Sequence, residues 1–179
     1  MTPASPGSAP DPAAFRALMG RWASGVAVVT GHADGRDAGL TVNALLSISL
    51  QPPSLLVSLT QDADTTPVIG ASGRFGVSFL SATQRAVSER FARAIPSAEK
   101  FRDLPVRRGR GGVPLLEGAL GTAECRVADW IPRHDHVLIE GEVVETTIGD
   151  PTALPLLFFG SHYGEASGPR DVRFPPPLR

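Results

Sequence analysis

Four polar side chains on two predicted neighbouring strands could hold an oxygen-rich ligand. Ser47 and Ser49 alternate with apolar residues over residues 46–50, which predicts a half-buried strand with both hydroxyls on one face. Thr41 and Asn43 share a face just upstream, and Asn43 offers both donor and acceptor atoms. Because strands hold such groups rigidly, little conformational entropy would be lost when a ligand binds. On pattern alone, serine and threonine facing water in an antiparallel sheet remain the commoner alternative.

Two further groups of residues suggest ligand chemistry. Asp64 and the threonines before Pro67 predict a helix start, where free backbone amides could attract a phosphate; a simple cap remains the alternative. His134 and His136 flank Asp135, but no other histidine lies at ligand spacing, so we expect no metal.

The chain lacks several common catalytic motifs. It contains no phosphate-binding GxxxxGK[ST] or GxGxxG loop and no GxSxG nucleophile motif. Cys125 is the only cysteine, which excludes an intrachain disulfide and a cysteine metal site. The arginine- and glycine-rich residues 107–112 are interpreted as a solvated loop rather than an RNA-binding tract, because the net charge is only −1.

The elements that would position these groups are mostly short strands. The strands are expected at residues 25–30, 38–43, 46–50, 54–60, 75–79, 119–127, 136–147 and 156–159. Asp34-Gly35 predicts the first hairpin turn, and Val137 and Ile139 are expected to face inward. Because strands follow one another through turns, we expect a mainly β fold, an antiparallel barrel with flanking helices.

The predicted helices are few. One should span residues 12–24 and dock an apolar face containing Phe15, Leu18, Met19 and Trp22 on the body. Another should begin at the capping box of Ser81 and Gln84 and end near Ile95. Residues 94–112 are expected to form a mobile flap. The small residues along 119–127 suggest close packing, with a second subunit as one possible neighbour.

Size and composition fit one globular domain. The 179 residues are 42% hydrophobic and 20% charged, ordinary values for a globular protein. We expect a disordered N-terminal tail over residues 1–12, a domain over 13–165 and a Pro-rich C-terminal tail over 166–179. With no apolar run near the roughly 20 residues of a membrane helix and no signal-peptide pattern, we expect a cytoplasmic protein that binds neither membrane nor nucleic acid.

An ordered series of short motifs resembles the flavin reductase-like family, the FMN-binding split barrels that supply reduced flavin to two-component monooxygenases. The motifs are residues 25–30 (GVAVVT), 39–44 (GLTVNA), 47–53 (SISLQPP), 72–77 (SGRFGV), 91–92 (FA), 112–118 (GVPLLEG), 135–136 (DH) and 141–143 (GEV). The resemblance implies an antiparallel Greek-key split β-barrel and an NAD(P)H:flavin oxidoreductase, in which hydride passes from the nicotinamide to FMN or FAD. It also implies a homodimer and a possible monooxygenase partner.

The resemblance also implies roles for individual residues. Thr41, Val42, Asn43 and Ala44 would border the flavin ring, and Ser47 and Ser49 would serve the ribityl chain and phosphate. The further flavin contacts would be Ser58, Thr65, Phe91, Ala92 and Tyr163. His136 would lie beside the nicotinamide.

The chain departs from the family pattern at one place. Ala63 stands where many relatives carry serine, and Asp64 adds a negative charge near the expected phosphate. Unless Asp64 points away as a helix cap, it would repel that phosphate. FMN and FAD therefore remain alternatives, as do NADH and NADPH.

Two other functions remain open at this stage. The first is a split-barrel protein that binds FMN without reductase activity, such as an oxidase-like protein or a flavin carrier. The second is a non-enzymatic dimeric interaction module whose serine and threonine side chains simply face solvent.

Overall fold

The computed structural model describes residues 11–166, which fold around an antiparallel seven-stranded sheet. The strands in chain order are β1 (Ser24–Gly25), β2 (Ala27–Ala33), β3 (Arg36–Val42), β4 (Leu45–Leu50), β5 (Pro53–Thr60), β6 (Arg74–Phe79), β7 (Val106–Arg108), β8 (Pro114–Leu116), β9 (Gly121–Arg133), β10 (His136–Ile148), β11 (Leu156–Phe159) and β12 (His162–Glu165). The α-helices are α1 (Pro12–Met19), α2 (Thr65–Ser72), α3 (Arg85–Phe91) and α4 (Ser97–Phe101). Within this part of the chain, no helix is long and apolar enough to cross a bilayer.

The seven-stranded sheet forms the open barrel that the sequence predicts. Its strand order is β3-β2-β6-β9-β10-β5-β4, with neighbours such as β10 and β5 that are far apart in the chain, as in a Greek key. The strands β3 and β5 approach each other without pairing. The amide of Ser58 donates to the carbonyl of Ala44 at 3.1 Å, just beyond β3. The barrel is therefore split next to the predicted ligand strand.

Several local predictions are confirmed. Asp34 and Gly35 form the β2–β3 turn with φ values of 51° and 73°, the left-handed region that this hairpin turn requires. The Ser81 capping box is present. The helix α3 that follows ends at Phe91 rather than near Ile95, because α4 begins after Pro96.

The small residues on β9 pack against the chain's own core. Ala123 and Cys125 are buried in one cluster with Phe75 and Ile139. A Cβ atom at Gly141 on β10 would collide with the Phe75 ring, so glycine is required for this close approach. The suggestion that a second subunit packs on this face is therefore wrong, because the barrel interior already fills it.

The predicted docking of α1 on the body is also wrong in the described chain. Asp11 caps the helix through the Ala13 amide, but the helix ends at Met19. The predicted apolar face remains largely exposed: Phe15 56%, Leu18 66%, Met19 50% and Trp22 74%. An amphipathic pattern shows that a face needs covering but not which surface covers it.

The predicted flap is a fixed segment. Residues 94–112 contain α4 and β7, and β7 pairs with β8. Arg107 contacts Glu145 at 2.6 Å, and Arg108 holds Asp37 through two hydrogen bonds. Ion pairs therefore hold Arg107 and Arg108 in place, whereas the side chains of Arg108 and Arg110 stay exposed to solvent, as the solvated-loop interpretation predicts.

Candidate functional site

The end of β3 is joined to helix α3 and to strand β12 by a chain of hydrogen bonds. The Thr41 hydroxyl donates to the Ser88 carbonyl at 2.7 Å. The Ser88 hydroxyl donates to the Tyr163 hydroxyl oxygen at 2.9 Å, and Ser88 is fully buried. The Tyr163 ring also packs edge-on against Phe158 at 5.3 Å. Thr41 and Tyr163 are therefore held in fixed positions relative to each other.

A large cavity opens on one side of Thr41. It has a volume of about 1090 Å³ and lies between the β2–β3 hairpin, residues 62–65 and residues 91–101. Thr65, Phe91 and Ala92 line it together with Thr41. The structure thus brings together four of the predicted flavin contacts, which lie as far as 51 residues apart in the chain.

Two smaller cavities continue from this point. One, of about 190 Å³, is lined by Val42, Asn43 and Tyr163 and meets the large cavity at Thr41 and Ala92. The other, of about 420 Å³, has lining residues Asn43, Ala44 and Ser58, with Met19, Trp22 and Leu46 at its edge. Nine of the twelve predicted site residues therefore line one continuous row of cavities along the end of β3.

Ser47 and Ser49 lie outside these cavities. A β-bulge between them breaks the strict alternation of β4, so the sequence spacing does not fix their relative direction. Ser47 is exposed, and the Ser49 hydroxyl accepts a hydrogen bond from the Gln51 amide at 3.0 Å. Their apolar neighbours are also open: Leu46 59%, Ile48 45% and Leu50 86% exposed. The prediction of a half-buried strand is wrong for β4, which lies at the sheet edge.

His136 lies outside the three cavities but close to the largest. It pairs with Thr60 across β10 and β5, and Thr60 lines the large cavity. Its Nδ1 lies 2.9 Å from Asp135 Oδ1, and 41% of the side chain is exposed. This hydrogen bond lowers the pKa of Asp135. His136 is therefore accessible to a ligand that extends beyond the cavity rim.

The charge of Asp64 faces the large cavity without capping α2. Its side chain makes no cap hydrogen bond and lies 3.6 Å from Arg36, with both side chains more than half exposed. Such an exposed pair contributes about 0–1 kcal/mol. Asp64 thus remains a negative group at this rim, partly balanced by Arg36.

Two polar residues of the large cavity were missed by the sequence predictions. Lys100 is only 8% exposed, and its ammonium donates to the carbonyls of Gly39 at 3.1 Å and Phe91 at 3.2 Å. Burial lowers the pKa of Lys100, whereas the charge of Asp64 raises it. Ser97 is 6% exposed, and its hydroxyl has no hydrogen-bond partner among the described residues. The available signal was a Ser-x-x-Lys spacing after Pro96 that contains the only lysine of the chain.

Thiol and metal chemistry find no support in the described part of the chain. Cys125 is buried, which raises its pKa to about 12 and keeps it a thiol at neutral pH. Among residues 11–166, no cluster of three His, Cys, Asp or Glu side chains could hold a metal ion. The site therefore offers binding groups rather than a nucleophile.

Comparisons with known proteins point to one family. The model of the flavin reductase like domain matches residues 19–167. The protein "FMN reductase (NADH) RutF" of Cronobacter turicensis is 36% identical over 156 residues, which cover 87% of this chain and 93% of that protein. The reductase component of a 4-nitrophenol 4-monooxygenase/4-nitrocatechol 2-monooxygenase from Rhodococcus opacus is 36% identical, covering 86% and 80%.

The solved structures agree with this likeness. The flavin reductase PheA2 in its native state superposes with a TM-score of 0.80 at 33% identity, covering 89% of this chain and all of that one. One relative is much longer: this chain spans 42% of a probable flavin reductase of Rhizobium meliloti, with 40% identity over 134 residues.

Proposed function

This chain belongs to the flavin reductase like domain family, and from that membership we propose that it is an NAD(P)H-dependent flavin reductase. NADH or NADPH would supply the hydride, and FMN or FAD would receive it. The relatives named as reductases support this activity. The observation that carries the proposal is the row of cavities along Thr41–Ala44, walled by Phe91, Ala92 and Tyr163.

The residues present fit a flavin. The large cavity is lined by Arg36, Arg93 and Lys100, whose positive charges suit the polar end of a flavin nucleotide. The adjoining smaller cavity is lined by apolar and aromatic groups with Asn43 at its edge, which suits a flat ring. When bound, flavin supplies the redox chemistry by accepting a hydride and a proton.

The chain itself contributes positioning. The hydrogen bonds that join Thr41, Ser88 and Tyr163 fix both walls of the small cavity. Thr65 and Ser58 would contact the flavin from α2 and β5. Because no bond to the protein has to form, a rigid site that aligns two rings and limits water suffices.

We assign His136 to the nicotinamide. It lies at the start of β10, paired with the cavity-lining Thr60 on the neighbouring strand, and 41% of its side chain is exposed to a second ligand. A hydrogen bond from this ring to the nicotinamide carboxamide or ribose would orient the hydride donor. Ser47 and Ser49 are predicted to serve the ribityl chain and phosphate, but in this single chain they lie beside rather than within the cavities, so the polar end of the flavin is assigned to the large cavity instead.

A homodimer is proposed as the working assembly. The exposed apolar residues of α1 and β4 leave a large uncovered surface, and such patches on soluble proteins commonly mark interfaces. Met19, Trp22 and Leu46 belong to this surface and also line the cavity of Asn43 and Ala44. A second copy seated there would close the cleft as well as bury the patch.

A partner monooxygenase is proposed as the consumer of the reduced flavin. The support is a relative named as the reductase component of a monooxygenase. For transfer to such a partner, reduced flavin must leave the reductase, so moderate affinity is expected. A dissociation constant of about 1 μM corresponds to −8.2 kcal/mol.

One steady-state assay tests the proposed activity. NADH and NADPH oxidation is measured at 340 nm with FMN, FAD and riboflavin added separately, together with flavin fluorescence quenching. Flavin-dependent oxidation of either nicotinamide supports a reductase. Flavin binding without turnover would favour a flavin carrier or oxidase-like protein, and absence of both would favour a non-enzymatic module.

A further inference from the structure

A carboxylate with no exposed surface lies beside the arginine- and glycine-rich residues 107–112. Glu124 on β9 is fully buried, and its Oε1 accepts a hydrogen bond from the Arg74 guanidinium at 2.9 Å. The amide of Gly111 donates to both carboxylate oxygens, at 2.8 and 3.1 Å. Removing a carboxylate from water is costly even with such partners, and Glu124 lines none of the three site cavities. Its presence therefore requires another explanation.

The glycines of this segment fit closely around the buried ion pair. A Cβ atom at Gly109 would collide with the Glu124 carboxylate, and one at Gly111 would collide with both Glu124 and Arg74. The amide of Gly112 donates to the Gly109 carbonyl at 2.9 Å and closes the turn. Because the carboxylate fills the space against these glycines, the backbone of residues 109–112 is held in one position relative to β9.

Arg108 connects this segment to the candidate site. Its Nη1 donates to the Gly112 carbonyl at 3.0 Å and to Asp37 Oδ1 at 2.6 Å, and its Nη2 donates to Asp37 Oδ2 at 2.7 Å. Asp37 and the preceding Arg36 line the large cavity from the β2–β3 hairpin. A planar guanidinium that bonds to both partners in this way fixes their relative geometry. The position of the hairpin wall therefore depends on Glu124 through the segment and Arg108.

The other ion pair at the end of this hairpin is weaker. Among the described residues, two ion pairs link the hairpin end to other parts of the chain, Asp37 with Arg108 and Arg36 with Asp64. The Arg36–Asp64 contact is 3.6 Å long, and both side chains are more than half exposed, so it contributes little. Arg108 is therefore the stronger side-chain link between the hairpin wall and the rest of the barrel.

We propose that Glu124 is a positioning residue for ligand binding in the large cavity. By fixing residues 109–112 it fixes Arg108, and through Arg108 it holds Asp37 and the hairpin wall in the geometry that receives the ligand. This inference rests on the proposed flavin reductase function, because it takes the ligand of that cavity to be part of a flavin. Since Glu124 is fully buried and lines no cavity of the site, its replacement acts on affinity through the wall.

The test is a double-mutant cycle read out by FMN binding. Dissociation constants are measured by flavin fluorescence, and kcat and KM by nicotinamide-dependent FMN reduction. The variants are Glu124→Gln, which removes the charge at nearly constant volume, Arg108→Met and their combination. Glu142→Gln is the matched control, because Glu142 pairs with Arg126 at 2.6 Å across β9 and β10 but lies outside the lining of the large cavity. Thermal unfolding of the ligand-free proteins is recorded in parallel.

We expect Glu124→Gln and Arg108→Met each to raise the FMN dissociation constant about three- to tenfold, as residues that act on a site through others commonly do. The kcat at saturating FMN should change little, because neither side chain takes part in hydride transfer. The double variant should bind FMN no more weakly than the more affected single variant, since both changes act through the same contact with Asp37. Glu142→Gln should leave the FMN affinity unchanged.

Three outcomes would overturn the proposal. Unchanged FMN affinity in either single variant would refute it, and additive losses in the double variant would show that Glu124 and Arg108 act separately. A lower kcat with unchanged KM would indicate a purely structural role. If Glu124→Gln does not fold, Gly111→Ala replaces it in the same cycle, because its methyl group would displace the segment from an intact ion pair. In each case a wild type that reduces FMN leaves the reductase function intact, whereas a wild type that neither binds nor reduces FMN would remove both.

Discussion

Arg108 donates two parallel hydrogen bonds, of 2.6 and 2.7 Å, to the carboxylate oxygens of Asp37. The two residues lie 71 positions apart and tie the segment that follows α4 to the β2–β3 hairpin. His32 approaches the same carboxylate at 2.7 Å. Since Asp37 also lines the large cavity, this pair fixes one wall of the candidate site.

The Arg108–Asp37 pair should make stability depend on pH. Burial raises the pKa of Asp37, but the hydrogen bonds from Arg108 and His32 outweigh it, and the net pKa lies below the ordinary 3.8. The folded state is therefore favoured above pH 3.8, and this contribution is lost as the pH falls further. Arg108→Met should cost about 1 kcal/mol near pH 6, and progressively less below pH 3.8.

Urea unfolding between pH 3 and 6 checks this. Arg110→Met is the matched control. Arg110 lies two residues further along the chain, but its side chain is 77% exposed and its contact with Glu145 is long, at 3.8 Å. It should leave stability nearly unchanged. A constant cost of Arg108→Met across the range would refute the pH argument.

The hydrogen bond between Ser88 and Tyr163 should be measurable as a coupling energy. Tyr163→Phe leaves the buried Ser88 hydroxyl without its partner, which should cost about 1–2 kcal/mol of stability. Ser88→Ala and the double variant complete the cycle, which should give a coupling of about 1 kcal/mol. Because Tyr163 lines the small cavity, the affinity for flavin should also fall in Tyr163→Phe. Additive single effects on the free energy of unfolding would contradict this link.

Gly141 should not tolerate a side chain. A methyl group there would overlap the buried Phe75 ring, and overpacking of this kind costs about 1–3 kcal/mol. Gly164→Ala is the control, since nothing lies within 4 Å of its added Cβ. Thermal and urea unfolding of both variants should separate them; equal stabilities would mean that the barrel core adjusts freely.

The sequence predicts the parts of the fold whose signals are local. The Asp34-Gly35 turn and the Ser81 capping box each depend on neighbours a few residues away, and both are present. Val137 and Ile139 are buried, as the alternation of apolar residues along β10 predicts. Of the twelve site residues that the ordered motifs predict, nine line adjoining cavities.

The sequence does not predict features that depend on distant partners. Residues 94–112 read as a flap because the partner of Arg107, Glu145, lies 38 positions away. The apolar pattern of α1 predicts that Trp22 is buried, but its side chain is 74% exposed. Such a pattern does not identify the surface that would cover it. Lys100 attracted no prediction, because only the fold brings Gly39 and Phe91 to its ammonium.

His136 should affect the nicotinamide more than the flavin. In His136→Ala we expect the KM for NADH or NADPH to rise several-fold more than the KM for flavin, since His136 lies beyond the cavity rim. Among residues 11–166 its side chain bonds only to the exposed Asp135, so the free energy of unfolding should stay nearly unchanged. His134→Asn is the control, because asparagine tolerates the φ of 52° at that turn position. An unchanged nicotinamide KM in His136→Ala would contradict the assignment.

Burial of the apolar surface on α1 and β4 should require a second copy of the chain. Light scattering of the wild type should give the mass of a dimer, twice 18.8 kDa. Leu46→Arg should shift the mass toward monomer, because an unpaired arginine is costly to bury at an apolar interface. It should also weaken flavin binding, because Leu46 lines the cavity of Asn43 and Ala44. Ile148→Arg, an equally polar change at an 81% exposed residue on β10, should leave the dimer intact. A monomeric wild type would show that this surface serves another partner.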